Sequence, residues 1–302
     1  MTRPLITIGI PFFNCRDYLL DAVRSVFAQT FEDWELILVD DGSTDGGLEI
    51  AQSIDDPRVR IISDGCNKKL PARLNQIIEL ARGEYIARMD ADDLCLKQRI
   101  EKQLAIFRRE TAVDVVGTGI VYLDRFDKPI GHYFAPSLHA DICREPNRTF
   151  GICHASIVAK ASWYKKNRYD ESVILGQDFN LWLRSYKTSK FANVPEPLYG
   201  YRLETSFAIK KQLRDRLRGA KFLFDDYIKQ KKPCKAVLTS TAQYGKAVAE
   251  VLLCMAGFKQ KLLSRRFTPI SRGEGEFYLE QIRKIKDTTL PIRNQNKTLP
   301  VT

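Results

Sequence analysis

Along residues 5–123 the chain alternates β-rich apolar runs with segments of helical period. Residues 5–10, 35–40, 59–62, 84–89 and 113–123 read as strands. Between them, residues 17–28, 44–53, 71–82 and 97–109 repeat apolar side chains every three or four positions, with Ser43 or Thr44 available as a cap for the second helix. Strands that read apolar throughout are buried on both faces. The pattern predicts an α/β fold with a mostly parallel central sheet flanked by helices. Ligands in such folds sit at the carboxyl ends of the strands. Beyond residue 123 the alternation weakens. Helical pattern returns at 155–163 and 178–186, with short strands at 191–194 and 198–202.

Charge divides the chain. Residues 208–302 hold 21 Lys and Arg against 8 Asp and Glu, whereas the chain as a whole has a net charge of +11. All of the excess therefore lies in the last third, and the first 207 residues are close to neutral. This predicts a near-neutral body over 1–207, its alternation clear over 1–125 and weaker over 126–207, followed by a basic helical appendage over 208–302. The appendage reads as a helix over 209–231, a break at Pro233, a second helix over 235–263 and a polar tail that frays after Thr288. Seven widely spaced cysteines without a C-x-x-C pair exclude a disulfide framework and a zinc knuckle, and fit a reducing compartment. No segment has a secretory layout or the length to span a bilayer, so the sequence reads as cytoplasmic, and the sequons at Asn147 and Asn296 as chance matches.

Carboxylates gather at two of the predicted strand ends. One is Asp40-Asp41-Gly42-Ser43-Thr44-Asp45 and the other is Asp90-Ala91-Asp92-Asp93. Three carboxylates within four residues repel one another unless a cation sits among them. Oxygen-only ligands suit Mg²⁺ or Mn²⁺, which leave positions open for water and phosphate. Asp93 taken alone reads as a helix cap. Asp90 with Asp92 reads as a metal site.

The segments ITIGIPFFN (6–14), SVFAQT (25–30), LVDDGSTD (38–45) and ARGEYIARMDADD (81–93) together resemble family 2 glycosyltransferases, in that family's order and spacing. The likeness covers residues 4–125 closely and extends loosely to 206. It implies a type A glycosyltransferase fold, a nucleotide-sugar donor and an inverting, metal-dependent reaction. Under it, Pro11, Phe13 and Asn14 lie beside the nucleoside, and Asp41 accepts from the uracil imide. Asp90 and Asp92 form a D-x-D motif, with Asp92 the nearest metal ligand and Asp93 beside it. Arg73 precedes a helix facing the nucleotide and is placed to touch a phosphate. GQDFNLWLR (176–184) resembles the family's segment before its Leu-Trp-Leu-Arg helix, with Gln177 where a Glu is usual. Asp178 is then the base that deprotonates the acceptor, or a cap for the helix it begins. His154 fits a position near both substrates or a structural role. Trp182 reads as core or as a wall of the acceptor site, and Ser206 as part of a closing loop.

The resemblance implies a glycan or lipid-linked acceptor and a role in bacterial surface polysaccharide or lipopolysaccharide assembly. The apolar stripe and basic flank predicted over 208–235 fit an anionic membrane surface on the inner face, or a helix packed on its own body. Nucleic acid is not expected, since no recognition motif accompanies the charge. A sugar nucleotidyltransferase would want a Gly-rich, Arg-containing loop where Pro11–Asn14 stands, and a dinucleotide dehydrogenase would want G-x-G-x-x-G. A non-catalytic membrane adaptor with the same fold would have no need of Asp41, Asp90, Asp92 and Asp178.

Overall fold

The computed structural model of the protein describes residues 3–146, 148–203, 209–257 and 267–293. Ser206, both sequons and the end of the helix expected over 235–263 lie outside these residues. The N-terminal half has four parallel strands, β1 (Ile6–Phe12), β2 (Trp34–Asp40), β3 (Val59–Ile62) and β4 (Tyr85–Arg88). They are joined by α1 (Arg16–Phe27), α2 (Gly47–Gln52) and α3 (Lys69–Leu80). Both β1 and β2 are buried at every position, as their unbroken apolar character requires. Alternate side chains serve opposite faces. Leu36 and Leu38 pack with Leu19, Val23 and Val26 of α1, whereas Ile37 and Val39 pack with Leu74, Ile77 and Ile78 of α3.

The second half is antiparallel at most of its joints, so the sheet of the expected α/β fold is mixed. It contains β5 (Leu94–Cys95), α4 (Arg99–Arg109), β6 (Val115–Leu123), β7 (Pro129–Tyr133) and α5 (His139–Ile142). Next come β8 (Val158–Lys160), α6 (Ala161–Lys166), α7 (Gln177–Ser185) and β9 (Phe191–Arg202). The strand order is β10 (Thr268–Pro269)-β7-β6-β8-β4-β1-β2-β3, with β9 beside β6 and β5 beside β9. The stretch read as helical over 155–163 is instead a 3-10 turn at His154–Ser156, then β8, then the start of α6. The apolar triplet Ile157-Val158-Ala159 supplies the strand that fills the gap between β4 and β6. The two short strands expected over 191–202 are one strand, whose register against β6 shifts around Gly119 to pass Pro195–Pro197.

The basic third is not one unit. The helices α8 (Ile209–Lys229) and α9 (Pro233–Met255) form a hairpin, with Pro233 at the start of α9, where its missing N–H is harmless. The chain then returns to the body. β10 (Thr268–Pro269) pairs with β7, and α10 (Arg272–Lys286) begins with a capping box between Ser271 and Glu274. Tyr278, Ile282 and Ile285 of α10 cover Leu94, Leu96, Val121 and Leu123. Leu290 is buried, Ile292 bridges to Ile54, and the Arg293 N–H donates to the Ser53 carbonyl at 2.8 Å. The tail expected to fray after Thr288 is therefore anchored as far as Arg293.

Candidate active site

Parallel registration fixes where the chemistry gathers. Phe12 lies opposite Asp40, and Gly9 opposite Arg88, so β1, β2 and β4 end at one edge of the sheet. The loops leaving that edge carry the acidic segments.

The β1 and β2 loops are tied together by Asn14. Its backbone N–H donates to Ser43 Oγ at 3.1 Å, and its Oδ1 accepts from the Thr44 N–H at 2.8 Å. Asn14 has a φ of 50°, a left-handed conformation that Asn tolerates better than most residues. Gly42 has a φ of 77°, and a Cβ there would meet the Cys66 carbonyl carbon at 3.1 Å. The loop can reverse there because this residue has no side chain. Asp40 is buried and structural, accepting from the Ser43 N–H and the Ser63 hydroxyl. The residue before α2 is Gly46, with no side-chain cap, so neither Ser43 nor Thr44 caps that helix. Pro11 is buried within β1 and Phe13 stands half exposed beyond it.

Asp41 is the centre of a charged knot. Its carboxylate accepts from Arg73 Nε at 2.8 Å and from the Lys68 and Lys69 N–H groups at 2.7 and 3.1 Å. Arg73 is 0% exposed, and its other nitrogens reach Asp64, Gln76 and the Cys66 carbonyl. Arg73, then Lys68, hold the Asp64 carboxyl well below the usual range. The guanidinium assigned to a phosphate from the sequence is thus engaged in orienting Asp41 and its loop. Arg73→Met strands buried charge, and the expected cost is about 3–5 kcal/mol of stability in urea melts. A loss under 1 kcal/mol would refute that structural role.

The third acidic loop follows β4. Carboxylate oxygens of Asp90, Asp92 and Asp93 all lie within 4.8 Å of one another. Asp90 pairs with buried Arg88, and its N–H donates to the Tyr199 hydroxyl at 3.1 Å. Asp93 does not cap a helix. The residue before α4 is Gln98, and Asp93 Oδ1 instead accepts from the Arg202 N–H at 2.8 Å. Its Oδ2 is buried with no hydrogen-bond partner among the described residues, and burial together with the charges of Asp90 and Asp92 pushes its carboxyl well up. Asp92 is exposed. Arg202 also donates to the Asp92 carbonyl and to Asp127, so β9 braces this loop from behind.

A cavity of about 910 Å³ opens beside these groups, lined by Arg88, Asp90, His154, Gln177, Asp178 and Tyr201 among others. Asp178 lies in the first turn of α7, whose start is Gly176 with a φ of 76°, and it makes no side-chain cap. Burial pushes its carboxyl up, and Arg88 opposes that shift. His154 Nε2 sits 2.7 Å from the Tyr169 hydroxyl, and burial holds its imidazole neutral. Trp182 is buried, 6.0 Å from His154 and 6.3 Å from Trp163 ring to ring, so it belongs to the core behind the cavity. Arg88 drew no role from the sequence reading, and Arg202 none beyond its place with Tyr201 at the end of the region that resembles the family. An arginine two residues ahead of paired aspartates was the available sign for the first.

A sheet that is parallel on one side and antiparallel on the other, with carboxylates at the parallel strand ends, is the framework of a type A glycosyltransferase. Over 96% of its length the chain superimposes on Staphylococcus aureus TarS 1–349, solved with UDP-GlcNAc (TM-score 0.58, 14% identity, 97% of that chain). It superimposes similarly on the mannosyltransferase PcManGT of Pyrobaculum calidifontis, solved with GDP-Man and Mn²⁺ (TM-score 0.56, 13% identity, 94% and 86% covered). In sequence it is 35% identical over 216 residues to EpsE of Bacillus subtilis strain 168, a glycosyltransferase by name, covering 69% of this chain and 76% of EpsE. It is 31% identical over 199 residues to the chondroitin synthase of Escherichia coli, covering 65% of this chain and only 28% of that longer protein. The model of glycosyl transferase family 2 matches residues 7–167. The protein belongs to glycosyl transferase family 2 and is a glycosyltransferase.

Proposed function

We propose that the protein transfers a sugar, with inversion, from a UDP-sugar to a hydroxyl of a glycan or lipid-linked acceptor in bacterial surface polysaccharide assembly. The observation that carries this reading is the position of Asp178, in one cavity with Arg88 and Asp90 at the β4 end. Pro11, Phe13, Asn14 and Asp41 form the nucleoside shelf at the ends of β1 and β2. The resemblance and the nucleotides bound by the solved relatives support a donor of this kind. Three carboxylates within 4.8 Å, one with an orphaned buried oxygen, are a donor set that fits Mg²⁺ or Mn²⁺. When bound at Asp90, Asp92 and Asp93, such an ion neutralises charge developing on the diphosphate.

The chain's own residues supply the rest. Asp178 accepts the proton of the acceptor hydroxyl as that oxygen bonds to the anomeric carbon. The bond from that carbon to the diphosphate oxygen breaks, and its electron pair leaves with UDP. Arg88 fixes the orientation of Asp90, and His154, held neutral, walls the site without adding charge. Calorimetric titration with UDP, dTDP and GDP, each with and without Mn²⁺, tests the donor. Metal-dependent binding of UDP alone is expected. Preference for another nucleotide would overturn the UDP assignment, and no binding at all would favour the adaptor.

A second reading concerns location. No helix among the described residues is long and apolar enough to cross a membrane. Among the described residues, Val237, Tyr244, Val248, Leu252 and Met255 of α9 face outward at helical spacing, and Phe224 and Ile228 of α8 are exposed beside them. Lys229, Lys231, Lys232 and Lys235 flank the start of α9, all exposed. Apolar area beside clustered lysines matches an anionic lipid surface, at about 1 kcal/mol per lysine near it. The full chain should co-sediment with phosphatidylglycerol vesicles and not with phosphatidylcholine ones. Val248→Glu with Leu252→Glu should cut that binding tenfold or more, and equal sedimentation with both lipids would refute the reading.

A further inference from the structure

Asp178 lines two cavities. Besides the one shared with Arg88 and Asp90, it borders a second of about 740 Å³, enclosed between the start of α7 and the α8–α9 hairpin. Gln177 and Thr149 also belong to both. With Asp178 as base and the donor in the first cavity, the second cavity is open to the acceptor.

Its wall has a definite chemistry. Arg148, Arg216 and Arg218 all border it, and among the described residues Asp178 is the one carboxylate in its lining. Arg216 is already committed, pairing with Glu250 and reaching Gln243 Oε1 at 3.2 Å, which clamps α8 to α9. Arg148 pairs with Glu145 on the surface. Arg218 is different: its Nη1 is shielded from solvent and has no hydrogen-bond partner among the described residues. A guanidinium nitrogen left without an acceptor is costly, and an anion that reaches it through a small shift of the Arg218 side chain would satisfy it. Phe179, Phe222 and Leu223 line the same cavity, and Phe222 lies 3.1 Å from where a Gly176 Cβ would stand, so the hairpin approaches the α7 start closely there.

We propose that Arg218, with Arg148 lining the same cavity, selects an acceptor sugar carrying an anionic group, a carboxylate or a phosphate, next to the hydroxyl that receives the new residue. This rests on the reading of Asp178 as base. The hairpin then belongs to the acceptor site, whatever membrane it meets.

The test uses three probes that differ only at C6: phenyl β-D-glucoside, phenyl β-D-glucuronide and phenyl β-D-glucoside 6-phosphate. Each is titrated calorimetrically into the full chain with UDP present. At least one anionic probe should bind roughly tenfold or more tightly than the glucoside, as expected for a charge-assisted contact. The stronger of the two anions identifies carboxylate or phosphate as the natural group. Arg218→Gln should abolish the preference, and Arg218→Lys should retain part of it, which separates loss of the cation from loss of fold. No preference in the native chain, or a preference that survives Arg218→Gln, overturns the proposal. Failure of the base reading is distinguishable: transfer would persist in Asp178→Asn while the anion preference stayed with Arg218.

Discussion

Asp178→Asn should lose on the order of 10³-fold in transfer rate while binding UDP as the native chain does, since a positioned base contributes about 10²–10⁴-fold. The substitution keeps the shape of the side chain and removes the proton acceptor. Helix α7 starts at Gly176 without a side-chain cap from Asp178, so little structural change should accompany it. The native enzyme's pH profile provides an independent check. Burial raises the Asp178 carboxyl above its ordinary value, with Asp90 adding to the shift and Arg88 opposing it. Only the ionised form accepts a proton, so kcat/KM should fall as pH drops through a value above the ordinary carboxylate pKa of about 4, with Asp178 imposing no loss on the alkaline side. Retained turnover in the Asn variant would end the assignment.

Asp92→Asn should abolish turnover, again by on the order of 10³-fold or more, because at the proposed metal site several kcal/mol of charge stabilisation at the diphosphate would depend on the cation held there. Unlike the Asp178 variant, it should also bind UDP equally with and without Mn²⁺. Asp92 is exposed, so its replacement should leave stability nearly unchanged. Activity within tenfold of native, with metal dependence intact, would shift the site onto Asp90 and Asp93.

The parallel half of the sheet and its acidic edge were legible because both follow from local pattern. Apolar runs such as ELILVD end in carboxylates, and parallel pairing then aligns those ends without further information. What stayed hidden depends on residues far apart in the chain. Arg202 reaches Asp93 across 109 positions, and no periodicity announces such a pairing. Arg73 was legible as a charged residue near the nucleotide loop, but its total burial against Asp41 and Asp64 is a tertiary outcome. Likewise α10 carries its own capping box and an apolar face, yet nothing local says that this face closes over Val121 and Leu123. The basic charge of the last third masked the difference between a hairpin that stands off and a segment that returns.

That return sets a timetable for synthesis. Leu94, Leu96, Val121 and Leu123 leave the ribosome well before Ile282 and Ile285, which cover them. At about 5–20 residues per second the interval is roughly 8–30 s. Throughout it the nascent chain presents an uncovered aliphatic patch and the unpaired outer edge of β7, a combination prone to wrong partners. Sheltering this patch would therefore matter until α10 emerges, and a slow codon stretch in the hairpin would lengthen the exposure.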